Sequence, residues 1–465
     1  MKKKIYLIQP TYRAHTGDLL QGSSLTLHSC AIPALAASIP PDWEYESCLE
    51  FFENVNYDSD ASIVAVSSMG YDIIHGREIA ATFRRKGKLV IFGGYQAHFS
   101  REKLRDMADC IVYGHPGPKA MAGILNDAQS GCLQPEYNTD IELDYPFNYS
   151  MLLKHRIAFM PVLSSVGCRN RCDYCCTAAR HHGEYRLRRI GMVLADLLAI
   201  QPHTRRFALV DSNSYNNRSY LIALCNEISR HKLRFHWGAE APIDIGEDDE
   251  ALSALRRAGC RILYIGYETL SQRGLNSVHK PYKTAVYKRA TERLHRHGFV
   301  VAGYFIVGLD GDTRETFNEV FTFIHDARIN LPVINILIPA PGTAIFKRLR
   351  REGRLLVHSE EEYLKTALFY SSSCSRCFFK PSGMTIKTLE SGYTGLLRRL
   401  SSLRETIRRS MVKDPVAAAF LFSMNNRFRH ASARTANVWK AVVADPSDRV
   451  TENSKSDRIS NFMAS

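Results

Sequence analysis

The chain of 465 residues is 45% hydrophobic, which leaves room for two or three domains around a substantial core. Its twelve cysteines follow a start that is not typical of a secretion signal, which favours a reducing compartment, where clustered cysteines bind metal more often than they form disulfides. No apolar run approaches the roughly 20 residues that span a bilayer, so a transmembrane protein is excluded and a cytoplasmic location is expected. The net charge of +14 lies largely on arginine-rich helices, where solvated faces are expected rather than a nucleic-acid site.

Predicted strands and helices alternate over residues 1 to about 130. Helices are predicted over Leu25–Ser38 and His75–Lys86. The pattern predicts an open, doubly wound parallel sheet with a ligand crevice beyond the carboxyl ends of its strands. No G-x-G-x-x-G sequence follows the first strand, so a nicotinamide or flavin dinucleotide is not expected. The predicted strands are Ile5–Gln9, Trp43–Leu49, Ala61–Ser67, Leu89–Phe92 and Cys110–Tyr113.

A cysteine motif follows the apolar run 157–163. Cys168, Cys172 and Cys175 have the spacing C-x3-C-x2-C, and three thiolates this close on one loop can hold three irons of a [4Fe–4S] cluster and leave the fourth iron open. The alternative is a zinc loop, which needs a fourth ligand, and His181 or His182 is near enough in the chain to supply it.

The cysteine spacing resembles the signature of the radical S-adenosylmethionine (radical SAM) superfamily, C-x3-C-x-aromatic-C, and Tyr174 fills the aromatic position. The resemblance implies that the three cysteines hold a [4Fe–4S] cluster and that SAM chelates its open iron. It also implies that one electron cleaves SAM to methionine and a 5′-deoxyadenosyl radical, which abstracts a hydrogen atom from the substrate.

Six further strands are predicted between about 155 and 350, and a helical segment follows each of them. Six β/α units in succession predict a partial (β/α)6 barrel, which is also the fold that the resemblance implies. In such barrels the reactive face is at the carboxyl ends of the strands. The predicted strands are Ile157–Ser164, Phe207–Asp211, Phe235–Glu240, Ile262–Glu268, Val300–Val307 and Val333–Pro339.

Acidic residues stand at the carboxyl ends of these strands. Asp211, with Asn213 after it, ends the second strand, Glu240 ends the third and Glu268 ends the fourth, and two aspartates, Asp310 and Asp312, follow the fifth. A ring of carboxylates at one mouth is a candidate cradle for the ammonium and ribose hydroxyls of SAM. For any one of them, a helix cap or a loop ion pair is the alternative.

The resemblance implies roles for several of these residues. Asp211 stands where an acidic residue contacts the SAM amino group, and Gly266 with Glu268 belongs to the signature of the fourth strand. Gly308 ends a fifth-strand motif that packs beside adenine. Pro339 begins a Pro-x-Pro-Gly-Thr turn that is common in the cobalamin-dependent branch.

The N-terminal region resembles the cobalamin-binding domain that precedes many radical SAM domains. Two departures from the pattern are His115-Pro-Gly-Pro, where an acidic pair is usual, and Gln96, where a histidine is usual. Asp72-Ile-Ile-His75 does not have the spacing of the D-x-H-x-x-G motif, which argues against a lower axial histidine. The resemblance places Ser67, Ser68, Gly93, Gly94 and Gly114 on the cobalamin side of the site.

After about 355 the sequence predicts helices over Glu360–Phe369 and Ile386–Arg409, the second of them basic and amphipathic. Cys374 and Cys377 form a lone C-x2-C, for which a structural pair of thiols is expected. The segment Leu396–Arg409 is a candidate for docking on a lipid surface or a carrier. The predicted divisions are 1–145 for a cobalamin-binding Rossmann-like domain, 150–352 for the barrel, 353–442 for a helical region and 443–465 for a disordered tail.

The sequence favours a cobalamin-dependent radical SAM enzyme that methylates an unreactive carbon or phosphorus of a small-molecule or carrier-bound substrate. Its cofactors would be a [4Fe–4S] cluster, SAM and cobalamin, and an electron donor such as flavodoxin or ferredoxin would be its partner. A cyclase or rearrangement enzyme of the same family is one alternative. A methylthiotransferase acting on tRNA or a ribosomal protein, with a second cluster on Cys30, Cys48 and Cys110, is another. A scaffold that has lost its activity is a third.

Overall fold

In this computed structural model, residues 2–13, 18–22, 28–357, 359, 361–364 and 376–443 are described, with 431–443 described by their backbone alone. The first part of the predicted helix Leu25–Ser38, most of Glu360–Phe369, Cys374 and the tail beyond 443 lie outside these residues.

The N-terminal part of the chain is a six-stranded sheet in which every neighbouring pair of strands is parallel. The strand order is β2-β1-β3-β4-β5-β6, which is that of an open, doubly wound sheet. Its strands are β1 Lys4–Gln9, β2 Glu44–Leu49, β3 Ile63–Ser67, β4 Leu89–Gly93, β5 Cys110–His115 and β6 Glu136–Ile141. Its helices are α1 Ala31–Ser38, α2 Ile73–Arg85, α3 Arg101–Leu104 and α4 Pro118–Gln129, with a 3-10 turn at Gln96–His98.

The second sheet also has six parallel strands, and they lie in the order of the chain, as the wall of a partial barrel requires. Its strands are β7 Met160–Val162, β10 Arg206–Leu209, β11 His236–Pro242, β12 Cys260–Glu268, β13 Val300–Val307 and β14 Leu331–Ile336. A short antiparallel pair, β8 Ser165–Gly167 and β9 Tyr185–Leu187, stands beside it. The helices are α5 Ser150–Leu153, α6 Cys176–His181, α7 Ile190–Ile200, α8 Arg218–Arg230, α9 Asp249–Arg257, α10 Gln272–Ser277, α11 Tyr287–Arg296, α12 Thr316–Asp326 and α13 Ala344–Arg351, with 3-10 turns at Ile243–Glu247 and Thr284–Val286.

The predicted fold is confirmed, and the differences have physical causes. The strand predicted over Ile157–Ser164 is β7, and it is shorter, Met160–Val162. At its carboxyl end the chain leaves the sheet, because the amide of Ser164 donates to the side chain of Asp211. β6 was not predicted, because its sequence, Glu-Tyr-Asn-Thr-Asp-Ile, lacks the continuous apolar run of a central strand; it lies at the edge of the sheet, where one side remains solvated.

The segment between the two sheets is fastened to the barrel by a buried ion pair. Arg188 and Asp196 have fully buried side chains, and Nη1 of the arginine lies 2.7 Å from the carboxylate. Arg188 also donates to the carbonyls of Leu143 and Tyr145, while the amide of Phe147 donates to Asp196. Because nearly every donor and acceptor of the pair is used, the cost of burying the two charges is offset by hydrogen bonds.

Three helices follow the barrel. They are α14 Ile386–Leu400, α15 Leu403–Ser410 and α16 Pro415–Val443. The sequence predicted one helix over Ile386–Arg409, but the chain breaks at Ser401 and Ser402. The hydroxyl of Ser402 accepts from the amide of Glu405 and so begins a new helix. α14 packs along the edge strand β14, where the hydroxyl of Tyr393 donates to the carbonyl of Ile334.

Candidate active site

The cysteine motif lies on the loop that follows the first barrel strand. Gly167 stands immediately before the loop with φ of 86°, and a Cβ there would lie 2.3 Å from the carbonyl oxygen of Glu184, so only glycine fits. Cys168 and Cys172 are buried, and Cys175 is half-buried at the N-cap of α6. All three thiols are free of disulfides. The loop therefore offers three soft sulfur ligands on one short, sterically fixed segment.

The surroundings of the three sulfurs suit thiolates held by a positively charged centre. Burial raises the pKa of Cys172 to about 12, and burial also raises the pKa of Cys175. A metal centre removes the protons of such thiols when it binds. The amide of Asn213 lies 3.7 Å from the sulfur of Cys168, as a donor to a coordinated sulfur would. Within the described residues, no three His, Cys, Asp or Glu side chains are gathered closely enough to hold a single metal ion, and this applies to the three cysteines as well.

Asp211 and Asn213 both contact the start of the cysteine loop. The carboxylate of Asp211 is buried and accepts hydrogen bonds from the amide of Ser164 and from the hydroxyls of Ser164 and Ser165. The carbonyl oxygen of the Asn213 side chain accepts from the amide of Tyr215. In this structure Asp211 therefore holds the start of the loop, and its contact with the SAM amino group stays a prediction.

Glu240 and Glu268 are the predicted carboxylates that stand in the mouth of the barrel. The carboxylate of Glu240 makes no hydrogen bond or ion pair within the described residues, and burial, together with the charges of Asp211 and Glu268, raises its pKa to about 7. Glu268 has φ of 62° and a buried side chain. A Cβ on Gly266 would lie 2.5 Å from a carboxylate oxygen of Glu268, which explains the glycine.

Lys280 is a residue of the mouth that the sequence did not indicate. Its ammonium lies 2.7 Å from the carboxylate of Glu268 and 3.4 Å from the hydroxyl of Tyr174, the aromatic residue of the cysteine motif. Burial alone would lower the pKa of Lys280, but the charge of Glu268 and the sulfur of Cys172 raise it above its ordinary value. Lys280 follows a short helix and belongs to no recognisable motif, so only the folded loop reveals it.

The remaining barrel residues have roles in turns and contacts between elements. Asp312 is buried and accepts from the amides of Gly308 and Leu309, so it shapes the turn after β13. Asp310 pairs with Arg348 and with Arg354, each at 2.9 Å. The predicted ring of carboxylates therefore has fewer members than expected, because Asp312 bonds to its own turn and Asp310 is paired with two arginines.

The turn that begins at Pro339 joins the barrel to the N-terminal sheet. Pro339 and Pro341 are buried, and a Cβ on Gly342 would lie 2.3 Å from the ring of Phe99, which follows β4. α6, which directly follows the cysteine loop, reaches the same sheet, because Arg180 donates to the carbonyl of Gly114 at 3.1 Å. The carboxyl edge of the N-terminal sheet thus faces the loops at the barrel mouth.

The residues predicted for the cobalamin side converge at that edge. Gly94 has φ of 95°, and a Cβ there would lie 2.3 Å from the carbonyl oxygen of Ser68. Gly114 has φ of 94°, and a Cβ there would lie 2.0 Å from the carbonyl oxygen of Thr139. Ser67 is buried at the end of β3, and Gly93 at the end of β4 accepts from the amide of Ser68 at 3.0 Å. Close backbone packing requires glycine at these turns.

Four buried polar atoms near this edge have no hydrogen-bond partner. They are Oγ of Ser68, the hydroxyls of Tyr95 and Tyr113, and Nε2 of His115. Buried polar atoms are almost always paired, so a group of orphans indicates a place for a polar ligand. Both ring nitrogens of His75, by contrast, already have hydrogen-bond partners: Nε2 lies 2.9 Å from Glu50 and Nδ1 lies 2.8 Å from Glu78. A cofactor at this edge would meet the orphaned atoms and not His75.

The cysteines proposed for a second cluster are too far apart to share one. Cys48 lies on β2 and Cys110 on β5, and β1, β3 and β4 stand between them, which separates the two strands by about 19 Å. Cys48 also packs in the core on the other side of the sheet from Cys30 and Cys110. Cys30 precedes α1 as its N-cap rather than lying inside a helix, as the sequence predicted. This geometry contradicts the methylthiotransferase arrangement.

A parallel partial barrel with a three-cysteine loop at its mouth, behind a doubly wound sheet, is the architecture of a radical SAM enzyme. Residues 162–324 match the family model of the radical SAM superfamily, so this part of the chain is a radical SAM domain. The predicted family is confirmed, and the radical SAM domain implies a [4Fe–4S] cluster and SAM.

Curated relatives match much of the chain. It is 26% identical over 64% of its length to bacteriochlorophyllide d C-12(1)-methyltransferase of Chlorobaculum tepidum, of which the match covers 67%. It is 24% identical over 72% of its length to bacteriochlorophyllide d C-8(2)-methyltransferase of the same organism, of which the match covers 79%. The hopanoid C-2 methylase of Rhodopseudomonas palustris is 29% identical over 42% of this chain and 38% of its own length.

Two solved structures share the fold over almost the whole chain. One is the radical SAM methyltransferase TsrM from Kitasatospora setae with cobalamin and a [4Fe–4S] cluster bound, with a TM-score of 0.69, 14% identity, and coverage of 94% of this chain and all of that one. The other is the cobalamin-dependent radical enzyme OxsB, with a TM-score of 0.68, 12% identity, and coverage of this whole chain and 75% of that one. Within the described residues, no helix is long and apolar enough to cross a membrane.

Proposed function

We propose that the chain is a cobalamin-dependent radical SAM methyltransferase that acts on an unreactive carbon. The observation that carries the proposal is the meeting of two sites: the three-cysteine loop opens toward the edge of a second sheet where buried polar atoms lack partners. When bound, the cluster and SAM supply hydrogen abstraction, and cobalamin supplies a methyl group. The relatives named for methyl transfer to bacteriochlorophyllides support the same class of reaction.

The chain's own residues position these groups and exclude water. Cys168, Cys172 and Cys175 would hold three irons, and Asn213 donates toward the first of these sulfurs. Glu240 is the free carboxyl in the mouth, where it can accept from the ammonium or the hydroxyls of SAM. Lys280 pairs with Glu268 and orients it beside Tyr174.

For the cobalamin side we propose the glycine turns after β4 and β5 and the orphaned atoms of Ser68, Tyr95 and His115. The donor set fits a large amide-rich ligand, since hydroxyl and imidazole groups can both donate and accept. We also propose that the boundary between the cobalamin-binding domain and the barrel lies at about residues 145–150, as the sequence predicts. An electron donor such as flavodoxin or ferredoxin would supply the reducing electron.

The test uses the full chain, purified and reconstituted without oxygen, with SAM, cobalamin and a low-potential reductant. Both 5′-deoxyadenosine and S-adenosylhomocysteine are expected, together with about four irons per chain and a cobalamin absorption spectrum. Bacteriochlorophyllide d and a hopanoid serve as trial substrates, because the relatives are named for them. A substrate that raises S-adenosylhomocysteine identifies the substrate class. Formation of 5′-deoxyadenosine alone would contradict methyl transfer and favour a cyclase or a rearrangement enzyme.

A further inference from the structure

Exposed apolar side chains are concentrated in the C-terminal helices. Seven large apolar side chains are exposed within the described residues, and five of them lie between 403 and 422. The two with the greatest exposure, Met411 at 75% and Val416 at 77%, flank the corner between α15 and α16. The five are Leu403, Ile407, Met411, Val416 and Phe422. A patch of this kind on a water-soluble protein marks an interaction site.

α15 is oriented with its apolar side outward. Leu403 and Ile407 are four residues apart and lie on one side of α15, facing water, and the exposed Met411 directly follows the helix as its C-cap. The side that packs against the protein is polar: Glu405, Thr406, Arg409 and Ser410 are its buried residues. This is the reverse of the pattern expected of a surface helix on a globular protein.

Specific polar contacts hold α15 in this orientation. Arg409 donates to the side chain of Asn425 on α16 at 3.1 Å, and Glu405 lies 3.0 Å from the ring of His325 on α12. The amide of Asn425 donates in turn to the carbonyl of Asn330 at 3.1 Å. Rotation of the helix to hide its apolar side would break these buried contacts, which is costly. The apolar side therefore faces outward as part of the fold.

Cations surround the corner. Residues 396–430 contain eight arginines and lysines against two acidic residues. Of these two, Glu405 is buried and Asp414 accepts from the first amides of α16. Arg404, Lys413 and Arg427 are exposed and form no ion pair among the described residues. An apolar ridge rimmed by free cations is the pattern of a surface that binds anionic bilayers.

We propose that the corner between α15 and α16 docks onto the surface of an anionic lipid bilayer. Met411 and Val416 would enter the boundary between headgroups and acyl chains, and the cations would meet the phosphates. A second copy of the chain fits this surface poorly, because a symmetric contact would set the same cations against one another. Docking needs no spanning helix, and it is independent of the proposed methyl transfer.

Flotation of the full chain with lipid vesicles tests the proposal. Vesicles of equal parts phosphatidylcholine and phosphatidylglycerol are compared with pure phosphatidylcholine, at low and at high salt. We expect binding to the anionic vesicles and weaker binding both to the neutral ones and at high salt. The double change Met411→Ser with Val416→Ser should reduce partitioning about tenfold or more. Arg404→Gln with Lys413→Gln should remove most of the preference for anionic lipid.

The matched control is Leu198→Ser, which removes another exposed leucine, 49% accessible, on α7. It should leave vesicle binding unchanged, and circular dichroism should show all variants folded. The proposal would be overturned if the chain bound neither kind of vesicle. It would also be overturned if the Met411 and Val416 variant bound anionic vesicles as well as the unchanged chain does. Sedimentation velocity tests whether a second copy of the chain occupies this surface instead. If the unchanged chain is a dimer and this variant is a monomer, the surface is a dimer interface and the proposal is overturned.

Discussion

Lys280 shows how much a single side chain contributes to a site whose metal ligands are set by a motif. Its ammonium joins the carboxylate of Glu268 to the hydroxyl of Tyr174, so the aromatic residue of the cysteine motif is tied to the fourth strand. Glu268 has a positive φ, which is strained for a residue with a Cβ, and its side chain is paired with Lys280. The orientation of the mouth therefore depends on a residue outside every motif.

Cys172→Ala should abolish iron binding, and Cys176→Ala is its matched control. Removal of one of three sulfurs leaves a cluster without enough ligands, so iron should fall from about four per chain to near zero. Cys176 is adjacent to Cys175 but begins the helix α6, so its loss should leave iron content and 5′-deoxyadenosine formation nearly unchanged. Iron assay and absorption near the cluster band measure both. Equal loss in the two variants would show that Cys176 is a ligand.

Glu240→Gln should weaken SAM binding by about tenfold or more while leaving the iron content intact. The amide keeps the shape of the side chain but loses the charge that a SAM ammonium or hydroxyl would meet, and such charge-assisted bonds contribute roughly 1.5–3 kcal/mol. Glu247→Gln, which removes the partner of the exposed Arg289, should have no effect. Equilibrium dialysis of cluster-loaded protein gives the affinity, and an unchanged value would remove Glu240 from the SAM site.

The cysteines and Lys280 show what a sequence can and cannot predict about single residues. The cysteine spacing is local, so Cys168, Cys172 and Cys175 could be predicted as ligands without a structure. The carboxylates were predicted from their positions at strand ends, but the sequence does not reveal their hydrogen bonds. Asp312 was therefore a candidate for the SAM cradle and is a turn residue, whereas the buried Lys280 was not singled out at all.

At the scale of elements, two glycines shape the carboxyl edge of the N-terminal sheet, and Arg180 reaches that edge from α6. Gly94 and Gly114 both have left-handed backbone packed against a carbonyl, that of Ser68 after β3 and that of Thr139 in β6. The periodicity of the sequence predicted the central strands well because they are continuous apolar runs, buried on both faces. It did not predict β6 or the break between α14 and α15, which depend on an edge and on one serine cap.

Gly94→Ala should destabilise the N-terminal sheet and reduce cobalamin content. The left-handed backbone costs an alanine about 1–2 kcal/mol, and the added Cβ also clashes with backbone that cannot move aside easily. Gly123→Ala is the comparison, because the new methyl on α4 meets nothing within 4 Å and alanine favours the helix. Thermal unfolding and the cobalamin spectrum read out the two variants. Equal melting temperatures for both would contradict this account.

At the scale of the whole molecule, histidines and arginine line the contact between the two sheets. His115, at the end of β5, stacks on His181 of α6 with ring centroids 6.4 Å apart, and Arg180 crosses beside them to the ring of Tyr95. Burial lowers the pKa of His115 to about 3, and burial with the charge of Arg180 lowers that of His181 to about 4. The groups that act electrostatically on this pair are Arg180, His98 and His182, with no carboxylate among them.

Stability of the cofactor-free chain should fall as the pH drops below about 6.5. Both histidines stay neutral in the folded protein at pH values where the unfolded chain, with ordinary histidines, takes up protons. Their contribution is therefore fully present above pH 6.5 and is lost progressively toward pH 3–4. Between pH 7 and 5 the melting temperature should fall about 2 °C per pH unit more steeply than in His115→Gln. Identical slopes for the two proteins would refute this assignment.

The buried ion pair of Arg188 and Asp196, which also bonds to residues 143–147, restricts motion between the two sheets. A hinge motion between the two sheets would have to break the contacts of the Arg188 guanidinium with two carbonyls and a carboxylate at once, and both the guanidinium and the carboxylate are buried. We therefore expect the cysteine loop and the N-terminal sheet to keep the same relative position with and without cofactors, so that the folded chain presents a preformed site.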